Sequence, residues 1–222
     1  TSTLISRGVL NLCHRTGHET PAPVIPGEEM DVSIALDETA YRVRPGHCLR
    51  LAISTAYWPL VVPSPAPVTA ALASGTLTLP SVPNSERIDV PAPADPSPLP
   101  EYPEIAPGAR KRWTETDPDS GRIRYNLLED TGHHRHPRHA MEVRETREES
   151  WEIDPGDPSG ATGSLTMTTL RQRDTWRAQT VAKVHFTAQA DRYLVDATLE
   201  ASTDDVAFAA RRWSFSVARK MV

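Results

Sequence analysis

The densest cluster of reactive side chains is His133-His134-Arg135-His136-Pro137-Arg138-His139. Imidazoles at this spacing can ligate zinc if a hairpin tip makes them converge. The tract has no cysteine, however, its two arginines would repel a dication, and Asp130 is the nearest carboxylate upstream. It therefore reads as a solvated loop, and no metal ligand is assigned to it. A serine nucleophile needs a tight elbow, commonly G-x-S-x-G, that lifts its hydroxyl beside an oxyanion hole. No such pentapeptide occurs, and Ser54, at a strand end without flanking glycines, reads as a structural hydroxyl.

The other candidates read as structural in the same way. His14 and His18 flank Arg15, and His47 follows Pro45-Gly46, positions where a histidine at a strand end is satisfied locally. Glu148-Glu149 and Glu152 with Asp154 gather carboxylates, with no neighbour in sequence that would split their pKa values, so a solvated strand face is expected. The tryptophans, Trp58, Trp113, Trp151, Trp176 and Trp213, would make a sugar platform if several lay exposed on one sheet face. Trp176 and Trp213 fall in register with apolar neighbours, so core packing is expected for them. Nothing assembles an acid, a base and a nucleophile, and the expectation is no catalytic residue, no metal ligand and no cofactor.

The elements that position these residues are strands. Val32, Ile34 and Leu36 alternate with polar or small residues, as do Leu49, Leu51 and Ile53, and Leu77 with Leu79 marks a shorter strand. Gly27 and Pro45-Gly46 supply turns between them. From Pro59 to Pro107 the chain carries 13 of its 21 prolines. Proline lacks the N–H a ladder needs, so this tract is expected to cross the surface in extended form. Alternation resumes beyond it: Ile123, Tyr125 and Leu127 follow an Asp119-Ser120-Gly121 turn, and Met141 and Val143 lead to Trp151 and Ile153. A Pro155 to Gly163 turn cluster then precedes Leu165 to Leu170. The clearest strands come last. Trp176 to Phe186, Tyr193 to Ala201 and Trp213 to Val217 each put apolar residues on one face, with turns expected at Asp191-Arg192 and Asp204-Asp205. Helical spacing shows only as a trace over Ser64 to Ala73.

With 222 residues the chain can form one large or two modest domains. Three regions are expected: 1–90, a linker at 91–110, and an antiparallel β region at 111–222 that packs with or extends the first. The net charge is −5, and Lys and Arg are interleaved with Asp and Glu, so nucleic acid, which needs a coherent basic surface, is not an expected partner. No apolar run reaches the ~18 residues of a membrane span, and no signal peptide is visible. Cys13 and Cys48 read as two free, mostly buried thiols, a cross-strand bridge being the geometric alternative. A cytoplasmic parent is expected.

Three stretches carry a family likeness: Ser6-Arg7-Gly8-Val9-Leu10-Asn11-Leu12 with His14-Arg15, then Pro26-Gly27-Glu28, then Tyr41 to Thr55 ending at Trp58-Pro59. Together they resemble the C-terminal domain of the X-Pro dipeptidyl-peptidase and cocaine-esterase-like (CocE/NonD) serine hydrolases. Trp213 and Arg219-Lys220-Met221-Val222 are similar to the ending of longer bacterial members. The resemblance implies an all-β, galactose-binding-like jelly-roll β-sandwich, truncated at its N-terminus and extended by a C-terminal antiparallel meander. It further implies an upstream α/β-hydrolase domain that carries the catalytic triad, so the parent is the enzyme and this chain alone is not. The parent's hydrolase domain is the expected partner, and an exposed sheet edge would favour homo-oligomers. A carbohydrate-binding β-sandwich is the alternative reading.

Overall fold

The computed structural model describes residues 2–81, 91–92 and 101–221. Among them a single antiparallel sheet holds nine strands. These are β1 (Glu104–Ala106), β2 (Ala109–Thr116), β3 (Ile123–Asp130), β4 (His133–Arg135), β5 (Glu142–Asp154), β6 (Asp157–Arg173), β7 (Trp176–Ala188), β8 (Arg192–Thr203) and β9 (Val206–Ala218). Strands β5 to β9 run as a meander, while β3 and β4 share the other side of β5, with β2 outside β3 and β1 outside β4. The fold is all-β, as the alternation requires, with one three-residue 3-10 turn at Leu12–His14.

Register sorts the side chains into two unlike faces, because directly opposed residues in an antiparallel pair point the same way. Tyr125, Trp151, Gly163, Phe186, Val195 and Phe215 form one continuous cross-strand row. The adjacent row on that face is Leu127, Glu149, Leu165, Val184, Ala197 and Trp213. On the opposite face Asn126, Ser150, Ser164, His185, Asp196 and Ser214 line up. The alternation within each terminal strand holds, and register brings the three apolar sets onto one face.

The turns follow local chemistry. Asp117 Oδ1 accepts from the Asp119 and Ser120 amides, and Gly121 takes a positive φ of 71°, closing the β2–β3 turn. Asp204 and Asp205 have φ of 50° and 62°, consecutive left-handed residues of the kind that match the twist of a two-residue hairpin. The Pro155 to Gly163 cluster is a turn only at its start. Strand β6 begins at Asp157, and the register jumps from Asp154↔Asp157 to Glu152↔Thr162, which leaves residues 158–161 as a bulge on the longer strand. Pro158 is tolerated there because a bulged residue has no ladder bond to donate.

Several expectations fail, and for a common reason. Residues 31–36, 48–53 and 77–79 alternate as strands should but join no ladder, and their apolar side chains are exposed, Ile53 at 64%. Residues 31–36 are approached only at their end, where the Asp37 amide donates to the Arg7 carbonyl at 2.7 Å and Gly8 passes so close to Ala35 that a Cβ would overlap its carbonyl oxygen. A strand is a strand only with a neighbour, and these segments have none among the described residues. Cys48, on one of them, is exposed, and Cys13 is half-buried, so both thiols are free but neither is deeply buried. Residues 64–73 form no helix. The core expectation for Trp176 and Trp213 is likewise corrected: they are 42% and 40% exposed, because a single sheet layer leaves whatever face is not covered in water. The middle of the proline-rich tract lies outside the described residues, and regular structure resumes at Glu104.

What does cover the apolar face is a short stretch of the N-terminal half. Trp58 meets Trp151 edge to face, ring centroids 6.0 Å apart. Trp151 in turn lies over Gly163, its cross-strand neighbour, where a Cβ would overlap the indole ring. Nearby, buried Arg219 donates to the Pro63 and Gln189 carbonyls and stacks on Tyr193, 5.1 Å from the ring centroid. The Asn11 amide adds a 2.8 Å bond to the Met221 carbonyl. Residues 11, 58 and 63 are thereby pinned to β5, β8 and the end of the chain.

Ion pairs lace the other half of the sheet. Arg124 sits directly opposite Glu152 and forks onto Oε2 at 2.5 and 3.1 Å, while Arg122 reaches Oε1 at 2.9 Å. Arg144 bonds both oxygens of Asp130. The two guanidiniums hold Glu152 below the usual carboxylate range, and Arg144 with the Gly132 amide does the same for Asp130. The arginines are about half exposed, so solvent screens each pair and its contribution to stability is small.

Two outcomes are expected. Gly163→Ala should displace Trp151, break the Trp58 contact and destabilise the chain by about 1–3 kcal/mol, read as a lowered denaturant midpoint with a shifted tryptophan emission. Since Glu152 and Asp130 have folded pKa values below their unfolded ones, the stability they supply is present above about pH 4 and is lost as pH falls through the depressed values. Thermal midpoints should therefore hold from pH 7 to about 5 and drop at lower pH, and Arg124→Gln should lower the plateau and flatten the drop.

Candidate functional site

The structure scatters the histidine tract. His133 and His134 occupy successive positions of β4 and so point to opposite faces. His133 Nε2 lies 3.1 Å from Glu142 Oε2, a carboxylate that Arg135 also engages, while His134 Nε2 contacts the Thr131 carbonyl at 2.8 Å. His136 and His139 leave the strand and stack, centroids 3.7 Å apart and planes within 8°, with Tyr102 edge-on to His136. Their Nδ1 atoms accept from the Arg138 and Met141 amides, at 3.2 and 3.3 Å. That fixes both rings as Nε2–H tautomers, which leaves no free lone pair for a cation. Desolvation, then the neighbouring His139 and Arg138, push the His136 pKa down. Among the described residues, no group of three or more metal-ligating side chains converges.

Ser54 is engaged locally: its hydroxyl donates to the Ala56 carbonyl at 2.9 Å and accepts from the Ala56 amide at 3.2 Å. No imidazole is among its hydrogen-bond partners. His14 and His18 approach with Nδ1 atoms 3.0 Å apart beside the 3-10 turn. His47, with Tyr41, Arg42 and Arg44, lines an open hollow of about 360 Å³. The carboxylates 148–154 are not uniformly solvated, contrary to the strand-face expectation. The Glu149 side chain is only 8% exposed, paired with Arg147 and accepting from the Trp151 indole at 2.8 Å, because its face is the apolar one. Glu152 is claimed by its two arginines.

One grouping escaped the sequence reading. Ser164, His185, Asp196 and Ser214 lie side by side on four consecutive strands of the polar face, and the first three line a shallow dish of about 340 Å³ together with Lys183 and Arg212. The residue types are those of a nucleophile, a base and an orienting acid, but their order is wrong for that work. Asp196 holds the Ser214 hydroxyl, at 2.5 Å, and not the imidazole, while His185 Nε2 sits 3.4 Å from Thr187 Oγ1. The carboxylate does not stand behind the histidine to fix its tautomer, as the triad geometry demands. Only register could reveal this row, since its members are 11 to 21 residues apart in sequence.

The feature that is most built is thus a contact surface. On residues 31–36 and 48–53 alternate apolar side chains stand unpaired, and the apolar face of β7 to β9 stays open beyond the Trp58–Trp151 contact. No helix among the described residues is long and apolar enough to cross a membrane.

No curated protein and no solved structure matches the chain. Over residues 1–95, the stretch that holds the unpaired strand segments and Trp58, the chain matches the family model of the X-Pro dipeptidyl-peptidase C-terminal non-catalytic domain.

Proposed function

We propose that the chain is the non-catalytic C-terminal β region of an X-Pro dipeptidyl-peptidase-like, CocE/NonD-type α/β serine hydrolase, a peptidase or esterase of the cytoplasm. A non-catalytic C-terminal domain implies a catalytic parent domain. The role is to support that domain, shape the rim of its pocket and bring copies together. The observation that carries this reading is the state of residues 31–36 and 48–53: they have the alternation of half-buried strands, lie inside the family match, and stand exposed without partners. Apolar surface of that kind is stable only against a complementary layer.

On this reading the missing layer is the rest of a jelly-roll sandwich together with the catalytic domain. Residues 1–90 then form the partial sandwich, 91–110 the connection, and 111–222 the sheet that extends it. The Trp58–Trp151 contact and the Arg219 clasp transmit the position of the first part to the second. Bond breaking stays with the parent's hydrolase domain, and no residue of this chain takes a catalytic role.

Two measurements test the reading. The purified chain should not turn over an Xaa-Pro dipeptide anilide or a small aryl ester, whereas the parent polypeptide should cleave one of them. Turnover by the 222-residue chain, lost on changing one of its own residues, would overturn the proposal. In hydrogen exchange, amides of residues 31–36 and 48–53 should exchange freely in the isolated chain and become protected by at least about tenfold in the parent. Equal exchange in both would remove the missing-layer argument.

A further inference from the structure

The sheet ends on an open edge. Strand β9 pairs with β8 alone, and among the described residues no backbone–backbone hydrogen bond reaches it from another segment. Edge strands are normally blunted by being short, by proline, by charge or by bulges. The opposite edge, β2, has eight residues and carries Arg110, Lys111 and Arg112 in succession. The edge strand β9 is longer, 13 residues with neither proline nor glycine, and its charges are confined to Arg211 and Arg212. Its one irregularity is near its start, where the register passes from Ala201↔Ala209 to Ser202↔Ala207 and leaves Phe208 as the extra residue. Beyond that bulge β9 runs in unbroken register to Ala218, after which Arg219 is drawn away towards Pro63.

We propose that two copies of this chain join edge to edge through β9, antiparallel about a two-fold axis at Ser214, so that the sheet continues from one copy into the other. The register argues for itself. Ser214 is the midpoint of residues 210–218, so this pairing uses all of the regular edge but Ala209 on both copies. It sets Trp213 opposite Phe215 of the second copy, twice over, Arg212 opposite Ser216, Arg211 opposite Val217, and Ala210 opposite Ala218. Aromatic residues meet aromatic residues and no like charges are opposed, the two conditions that make a cross-strand pair favourable. A shift of two residues that centred the axis on Arg212 would set that cation against itself.

Exposure agrees with the pairing. Phe215 and Val217 are 53% and 54% exposed although they lie on the apolar face, and they continue the surface on which Tyr193 and Arg219 already pack. A second β9 would satisfy the outward backbone groups and extend that surface across the axis, an isologous contact in which the same strand serves both partners. This inference deepens the self-association named in the proposed function and rests on it for its biological setting.

Sedimentation equilibrium of the chain, with circular dichroism to confirm retained strand content, provides the test. A monomer–dimer equilibrium is expected. Ser214→Lys places two cations face to face on the axis and should raise the dissociation constant at least about fivefold, and Phe215→Ser should weaken the dimer as well. Ser214→Cys should give a disulfide-linked dimer under mild oxidation, mapped to position 214 in both chains by mass spectrometry, whereas Asp205→Cys at the far hairpin should not. A monomer at every concentration, a dimer indifferent to Ser214→Lys, or cross-links that map elsewhere would each overturn the inference. These results leave the hydrolytic assays untouched, so failure here is separable from failure of the supporting role.

Discussion

An antiparallel ladder satisfies backbone amides only between neighbours, and a sheet buries side chains only where another layer lies upon it. Both demands act on this chain and are met in different places. From Glu104 to Ala218 the strands find each other, so the backbone groups of the interior strands have their ladder bonds and only the edges are left open. The layer that should lie on the apolar face is largely absent, and only Leu127, Ala161 and Ala188 are buried apolar residues among those described. The first 81 residues show the reverse lack, with apolar side chains in the right alternation and no ladder to hold them. Most exposed features of the molecule follow from these two shortages.

Where the halves do touch, the contact is built from shape and directed polar bonds more than from area. Gly163 makes room for Trp151, which receives Trp58, and Arg219 ties two carbonyls of different segments together while resting on Tyr193. A guanidinium suits this task because its planar fork can bond several oxygens at once and still stack on an aromatic face. The result fixes the position of residues 58–63 without a continuous core.

The polar groups that might have suggested catalysis are spent on structure. Glu152 and Asp130 are neutralised by opposing arginines, Glu149 serves Trp151 and Arg147, and the stacked His136 and His139 turn their acceptor nitrogens to backbone amides. The row Ser164, His185, Asp196 and Ser214 holds suitable residue types in an unsuitable order. Chemistry requires a base oriented by an acid and aimed at a nucleophile, and here the acid is joined to a serine instead.

Period-two alternation is a local property, set by which face of a strand meets water, and so the sequence by itself determined the all-β class, the terminal meander and the Asp204-Asp205 hairpin turn, while register decided that Phe186, Val195 and Phe215 share a face. The sequence also carried the likeness to the family model that matches residues 1–95, because Tyr41 to Trp58 holds a specific pattern of residue types. Pairing is a property of two segments at once. Only the tertiary structure could decide that 31–36 and 48–53 stand unpartnered, that Trp213 is exposed, that Pro155 to Gly163 is largely a bulged strand, and that His185, Asp196 and Ser214 share a row. Alternation reports that a strand wants a neighbour and a covering layer, but whether either is present depends on the rest of the fold.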